Sequence, residues 1–211
     1  YARLVADRGA RVILQAPPPL LTLLARLAGP AQVIAPGAPL PPFDFHCPLM
    51  SLPLALGTEL SSIPAETPYL SADPAETAAW RARLVETRAP RVGLAWAGRP
   101  THRNDMNRSI RLAELAPLLT PGAEFIGLQK DVRAEDRAAL AAMPAIRQFG
   151  GQLRDYADTA ALIACLDLVI TVDTSVAHLA GALGKPVWIL LPSDPDWRWL
   201  LGRSDSPWYP S

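Results

Sequence analysis

The stretch Asp167–Pro192, DLVITVDTSVAHLAGALGKPVWILLP, decides the fold. Two uncharged apolar runs, each the length of a buried strand, flank the helical-period segment SVAHLAGAL. Asp173, Thr174 and Ser175 open that segment, and Gly184 closes it before Lys185 and Pro186 lead into the second run. A strand, a helix and a second strand in this order form a crossover unit of a parallel sheet. In such sheets ligands lie beyond the carboxyl ends of the strands, where the polar cluster falls.

The same alternation extends upstream to a capped helix that starts a second module. Asp73 is its N-cap, Pro74 its first residue and Glu76 the third after the cap, with the helix running to about Thr87. Then follow the strand RVGLAW, a polar loop over 98–109, the helix RLAELAPLL, the strand EFIGLQ, the helix AEDRAALAAM, the strand AIRQFG and the helix YADTAALIACL. Together with the opening stretch this predicts a doubly wound α/β domain over 73–211.

Residues 1–72 predict a second, partial unit. A helix ending at Gly9 is followed by the strand RVILQA, the helix LLTLLARLAG and the strand AQVIA. From Pro36 to Pro74 proline interrupts every period, and the stretch reads as irregular structure passing into a linker. A parallel unit normally begins with a strand, so an opening helix implies that a first strand and its loop are missing. The chain also begins without Met or a signal-peptide pattern, as a piece of a longer protein would.

Composition narrows the function classes. Twenty basic and twenty acidic residues cancel, which offers nothing to nucleic acid or an anionic membrane. No run reaches the roughly 18 apolar residues of a membrane span. Cys47 and Cys165 stand far apart with no CxxC or Cys/His spacing, so neither a metal site nor a disulfide framework is indicated, and a reducing cytoplasm is the expected location. The chain has no GxGxxG after a strand, no GxxxxGK[ST], no GxSxG elbow and no HExxH helix.

The candidate site residues are those that follow each strand. The first turn of the helix at Thr174 combines unpartnered backbone N–H groups with the positive end of the helix dipole, a place for phosphate. Thr174 and Ser175 can add hydroxyl donors, His178 lies on the same face, and Asp173 suits a sugar hydroxyl. The same residues would also serve as an ordinary cap with a histidine packed at its edge.

Lys130, which directly follows Gln129 at the end of EFIGLQ, is one of two lysines in a chain otherwise basic through arginine. An ammonium there can neutralise a diphosphate, or simply be solvated; Lys185, at the other end of its helix, reads as structural. The loop 98–109 holds Gly98, His102, Asn104, Asp105, Arg108 and Ser109. Gly98 permits close backbone approach, while Arg108 or His102 can meet phosphate or sugar oxygens, or the loop is merely solvated. Trp197, Trp199, Trp208 and Tyr209 can stack on a base or sugar, or pack against the neighbouring unit. His46 and Asp44 are further candidates in the first half.

The run from DLVITVDTSVAHLAGALGKPVWILLP to DWRWLLGRSDSPWYPS, with GLAWAGRPTHRNDMNRSI and FIGLQK, resembles the glycosyltransferase-like region at the end of bacterial tetratricopeptide-repeat proteins. That region is similar to glycosyltransferase family nine, the lipopolysaccharide heptosyltransferases, and more distantly to O-linked N-acetylglucosamine transferases. The resemblance implies the GT-B architecture of two Rossmann-like parallel-sheet domains, here truncated at both ends. By it, residues 1–72 are acceptor-side, and 73–211 bind the nucleotide sugar and lack the closing helices.

The implied activity is inverting, metal-independent transfer of a sugar from a nucleoside-diphosphate sugar to a hydroxyl of a glycan, a lipid-linked glycan or a protein, with no cofactor. Lys130 is the implied catalytic group on the diphosphate. Asp173, Thr174, Ser175, His178, Gly98, Asn104, Arg108 and Gln129 are the implied donor-binding set. The loop that carries the catalytic base in heptosyltransferases would lie before Tyr1. A nucleotide-sugar epimerase of the same fold and a non-catalytic interaction module beside helical repeats are the alternatives.

Overall fold

The computed structural model describes residues 1–84 and 86–210. Two separate parallel sheets organise the chain. The smaller pairs β1 (Val12–Gln15) with β2 (Pro30–Ile34), flanked by the short helices α1 (Ala2–Ala6) and α2 (Leu21–Leu24). The irregular stretch that follows is not devoid of helix. It holds the single turn α3 (Leu52–Ala55) between 3-10 turns at Leu49–Ser51 and Leu60–Ser62; α3 ends ahead of Gly57, whose φ is 62°, and Pro64 follows the last turn.

α4 (Pro74–Arg83) starts where the capping residues place it, with Asp73 Oδ1 accepting from the N–H groups of Ala75 (2.8 Å) and Glu76 (3.2 Å). It stops at Arg83, short of Thr87; Val85 lies outside the described residues. The larger sheet follows, built from β3 (Arg91–Ala95), β4 (Glu124–Gly127), β5 (Ile146–Gln148), β6 (Leu168–Val172) and β7 (Val187–Leu190), every pairing parallel. Its order is β5-β4-β3-β6-β7.

In β3 and β6 every residue after the first is buried, because both faces of the sheet are covered. Val92, Leu94, Phe125 and Ile170 face one layer with Leu112 and Leu115, while Ile126, Leu128 and Val169 face the other with Trp80, Leu162 and Leu179. The helices are α5 (Asp105–Arg108), α6 (Ala134–Ala141), α7 (Tyr156–Ala164) and α8 (Ser175–Ala182). The expected helix over RLAELAPLL is instead a 3-10 run, Leu112–Leu118, since Pro117 lacks the N–H an α-helix would need there.

Two tryptophans tie helices to this framework through carboxylates. Trp80 Nε1–H donates to Asp158 Oδ1 on α7 at 2.6 Å, and Trp96 Nε1–H donates to Asp136 Oδ2 on α6 at 2.9 Å. The smaller sheet is joined to the larger core by Leu23 of α2, which is buried among Trp80, Leu153 and the α7 residues. Among the described residues no helix is long and apolar enough to cross a membrane.

Candidate functional site

After β3 the chain lays β4 and β5 on one side, then returns to place β6 and β7 on the other. The strand order therefore reverses between β3 and β6, and the crevice beyond their carboxyl ends is where doubly wound sheets take ligands. The loops that meet there are 96–109 after β3, 173–174 after β6, 128–133 after β4 and 191–199 after β7.

α8 begins at this rim. Thr174 is its N-cap, with Oγ accepting from Val176 N–H at 3.3 Å and the carbonyl accepting from Ala177 N–H at 3.0 Å. The positive end of the helix dipole thus faces the crevice, with Asp173 and Thr174 half-buried and Ser175 exposed.

Arg108 crosses the crevice to this turn. Its Nη1–H donates to the Asp173 carbonyl at 2.9 Å, joining residues 65 apart in sequence, and its Nε lies 3.8 Å from Asp105 Oδ1. Gly98 makes the crossing possible: a Cβ at position 98 would stand 2.5 Å from Arg108 Nη2 and 2.8 Å from its Cζ.

A buried network fixes the loop that carries Arg108. Asp105 is ion-paired with Arg133 and accepts from Ser109 Oγ–H at 2.9 Å. Arg133 Nη2–H also donates to the Gly98 carbonyl at 3.1 Å, and Gly98 N–H donates to Ser109 Oγ at 3.0 Å. Asn104, half-buried, shapes the turn from the front, with its Oδ1 accepting from Asn107 Nδ2–H at 2.7 Å. His102 accepts from Asn104 N–H through Nδ1 and is otherwise exposed. A loop pinned this way presents a guanidinium and a helix terminus, both positive, on one side of the crevice.

Lys130 is exposed, with its ammonium donating to the Arg154 carbonyl at 3.0 Å, just before α7. The first residue of α7 closes the circuit, as the Tyr156 hydroxyl and Ser175 Oγ are 2.8 Å apart. Lys130 and Ser175 are therefore linked through the Arg154–Tyr156 segment. Gln129 is spent inside the protein: Oε1 accepts from the N–H groups of Trp96 (3.2 Å) and Ala97 (3.0 Å), and Nε2–H donates to the Asp131 carbonyl at 3.2 Å. It holds the exits of β3 and β4 together. Lys185 caps the end of α7 by donating to the carbonyls of Ala164 and Leu166.

His178 sits one turn into α8. Its ring stacks on Trp199 with centroids 5.1 Å apart and planes at 13°, and its Nδ1 is 3.0 Å from the Tyr209 hydroxyl. Burial holds His178 below its ordinary pKa, opposed by Asp173 and assisted by Arg198. Trp199 is 4% exposed, which removes it from any ligand-stacking role. Trp197 is the exposed aromatic of the group, in edge contact with Trp208 and covered by the Arg198 guanidinium. Asp44 and His46 are exposed on the irregular stretch.

Tyr156 and Arg133 were not among the residues anticipated as ligand-binding, and Tyr209 was anticipated as a stacking or packing aromatic but not as the partner of His178. Tyr156 did stand at the start of the helix that follows β5, a position equivalent to Ser175.

The stretch that carries Lys130, Tyr156, the Thr174 turn and the loop after β7 has a recognisable pattern. Residues 129–195 match the model of glycosyltransferase family 9 (heptosyltransferase). Over 175 residues the chain is 31% identical to Protein FlbA of Caulobacter vibrioides. That match takes in 80% of this chain and 29% of FlbA, so the chain spans well under half of that relative. The fold is that of the E. coli ADP-heptose lps heptosyltransferase II structure, with a TM-score of 0.54, 17% identity, and coverage of 89% of this chain and 78% of that one.

Proposed function

We propose that this chain is the donor-binding part of a glycosyltransferase that uses a nucleoside-diphosphate sugar. The observation that carries the reading is the Arg108 guanidinium held against the Asp173 carbonyl at the N-terminus of α8, across the point where the strand order reverses. Two fixed positive groups in a crevice lined by hydroxyls suit a diphosphate with a sugar attached. The family match over residues 129–195 supports the same chemistry.

The reaction is an inverting displacement without metal. An acceptor hydroxyl oxygen bonds to the anomeric carbon, the bond from that carbon to the diphosphate oxygen breaks, and the nucleoside diphosphate leaves with the electron pair. The acceptor proton passes to a general base. Charge grows on the departing diphosphate, and Arg108, the α8 terminus and Lys130 meet it. Asp173 and Ser175 serve the sugar hydroxyls.

Calorimetric titration of the chain with ADP, UDP and GDP tests this, repeated on Lys130→Ala and Arg108→Ala. One diphosphate should bind saturably, and each variant should lose about tenfold or more in affinity, as expected for a charge-assisted contact. A folded chain that binds none of the three sinks the proposal.

A further inference from the structure

His178 is clasped by parts of the chain that the donor reading does not use. Tyr209 reaches it by lying across α8 at Gly181, where a Cβ would stand 2.5 Å from Tyr209 Cγ and Cδ1. Gly181 is three residues after His178, on the same helix face, so the glycine opens the track along which the phenol ring approaches the imidazole. Trp199 covers the ring's flat side, and Tyr209 occupies Nδ1. The Tyr69 phenol neighbours that of Tyr209. Tyr69 is itself anchored, because its N–H and that of Leu70 donate to the Ala182 carbonyl at 3.0 and 3.1 Å.

We propose that Tyr209 is a positioning residue: its hydroxyl donates to His178 Nδ1 and so holds the imidazole as the neutral Nε2–H tautomer, leaving Nε2–H as the ring's donor at the rim of the nucleotide-sugar site. The direction follows from chemistry. A phenol is a good donor and a poor acceptor, whereas the bare nitrogen of a neutral imidazole is a strong acceptor. Burial keeps both groups uncharged, raising the Tyr209 pKa and lowering that of His178. A neutral imidazole with one fixed N–H distinguishes donor from acceptor in a ligand, which a freely exchanging tautomer pair does not.

This inference rests on the donor-site reading for its role in binding, but not for the tautomer itself. Long-range proton–nitrogen NMR correlation on the nitrogen-labelled chain, without ligand, reads the tautomer of each of the three histidines, and His178→Gln assigns the signal. The expected result is Nε2–H at His178 in the wild type, and a shift toward Nδ1–H in Tyr209→Phe with His46 and His102 unmoved. Nδ1–H at His178 in the wild type overturns the proposal without recourse to any variant. So does a Tyr209→Phe spectrum that leaves His178 unchanged.

Titration with the nucleoside diphosphates then separates the two readings. Affinity about fivefold weaker in Tyr209→Phe supports the positioning role. Unchanged affinity beside a shifted tautomer overturns it. Failure of the wild type to bind any diphosphate, with the tautomer as expected, removes the donor reading alone.

Discussion

Substituting Gly98 by alanine forces a choice on the loop after β3. The new Cβ would overlap the Arg108 guanidinium, with Nη2 at 2.5 Å and Cζ and Nε at 2.8 Å. No backbone atom is among these three neighbours, so the guanidinium has to move. Moving it breaks the hydrogen bond to the Asp173 carbonyl and the approach to Asp105. Displacing a close-packed group costs about 1–3 kcal/mol, and a hydrogen bond to a charged group contributes about 1.5–3 kcal/mol. We expect Gly98→Ala to destabilise the fold by about 2 kcal/mol.

Arg108→Ala should lose a similar amount, since Asp105 keeps Arg133 and Ser109 as partners and is not left orphaned. In the double variant the second loss should nearly vanish, as the methyl group enters space the guanidinium has left. The coupling should be about 1–2 kcal/mol, measured from urea midpoints followed by circular dichroism on all four proteins. Losses that add to within about 0.5 kcal/mol would refute the reasoning, because Gly98 would then matter for something other than Arg108.

Two further outcomes follow from the packing. Trp80→Phe should cost about 2–4 kcal/mol by removing a donor to the Asp158 carboxylate and part of the ring volume, and a urea-midpoint loss below about 1 kcal/mol would show that this contact does not tie α4 to α7. His178 gives a pH dependence: the unfolded imidazole titrates near about pH 6.5, and the folded one lower because of burial, so the unfolded state binds more protons in between. Stability should therefore fall as pH drops below about 6.5, with a shallower fall in His178→Gln, and equal slopes of melting temperature against pH would contradict the assignment.

The architecture was legible because a parallel sheet covered on both faces writes its strands as largely apolar runs, as β3, β4 and β6 do; the edge strand β7 is apolar too, although Trp188 on it is exposed. The Thr174 turn was legible too, since it stands next to such a run. What the sequence did not disclose are pairings between distant residues. Arg108 and Asp173 are 65 positions apart, His178 and Tyr209 are 31, and Tyr156 and Ser175 are 19. No periodicity encodes these, because they depend on how loops fold over the sheet edge. Gln129 shows the converse: a polar residue at a strand exit reads as ligand-facing, yet its amide closes a gap between two backbones. In the segment after Arg111 the helical spacing was present, but Pro117 decided the outcome locally.

α8 is pinned at both ends by different parts of the chain. Arg108 holds the carbonyl just before its first turn, and the backbone of Tyr69 and Leu70, in the segment that joins the two sheets, grips the Ala182 carbonyl at its last. Its eight residues make a stiff rod of about 12 Å, at about 1.5 Å per residue. A push or pull on the joining segment would be delivered along that rod to Thr174. The element that offers its positive end to a ligand is thus also a strut, and the crevice and the junction share one mechanical part.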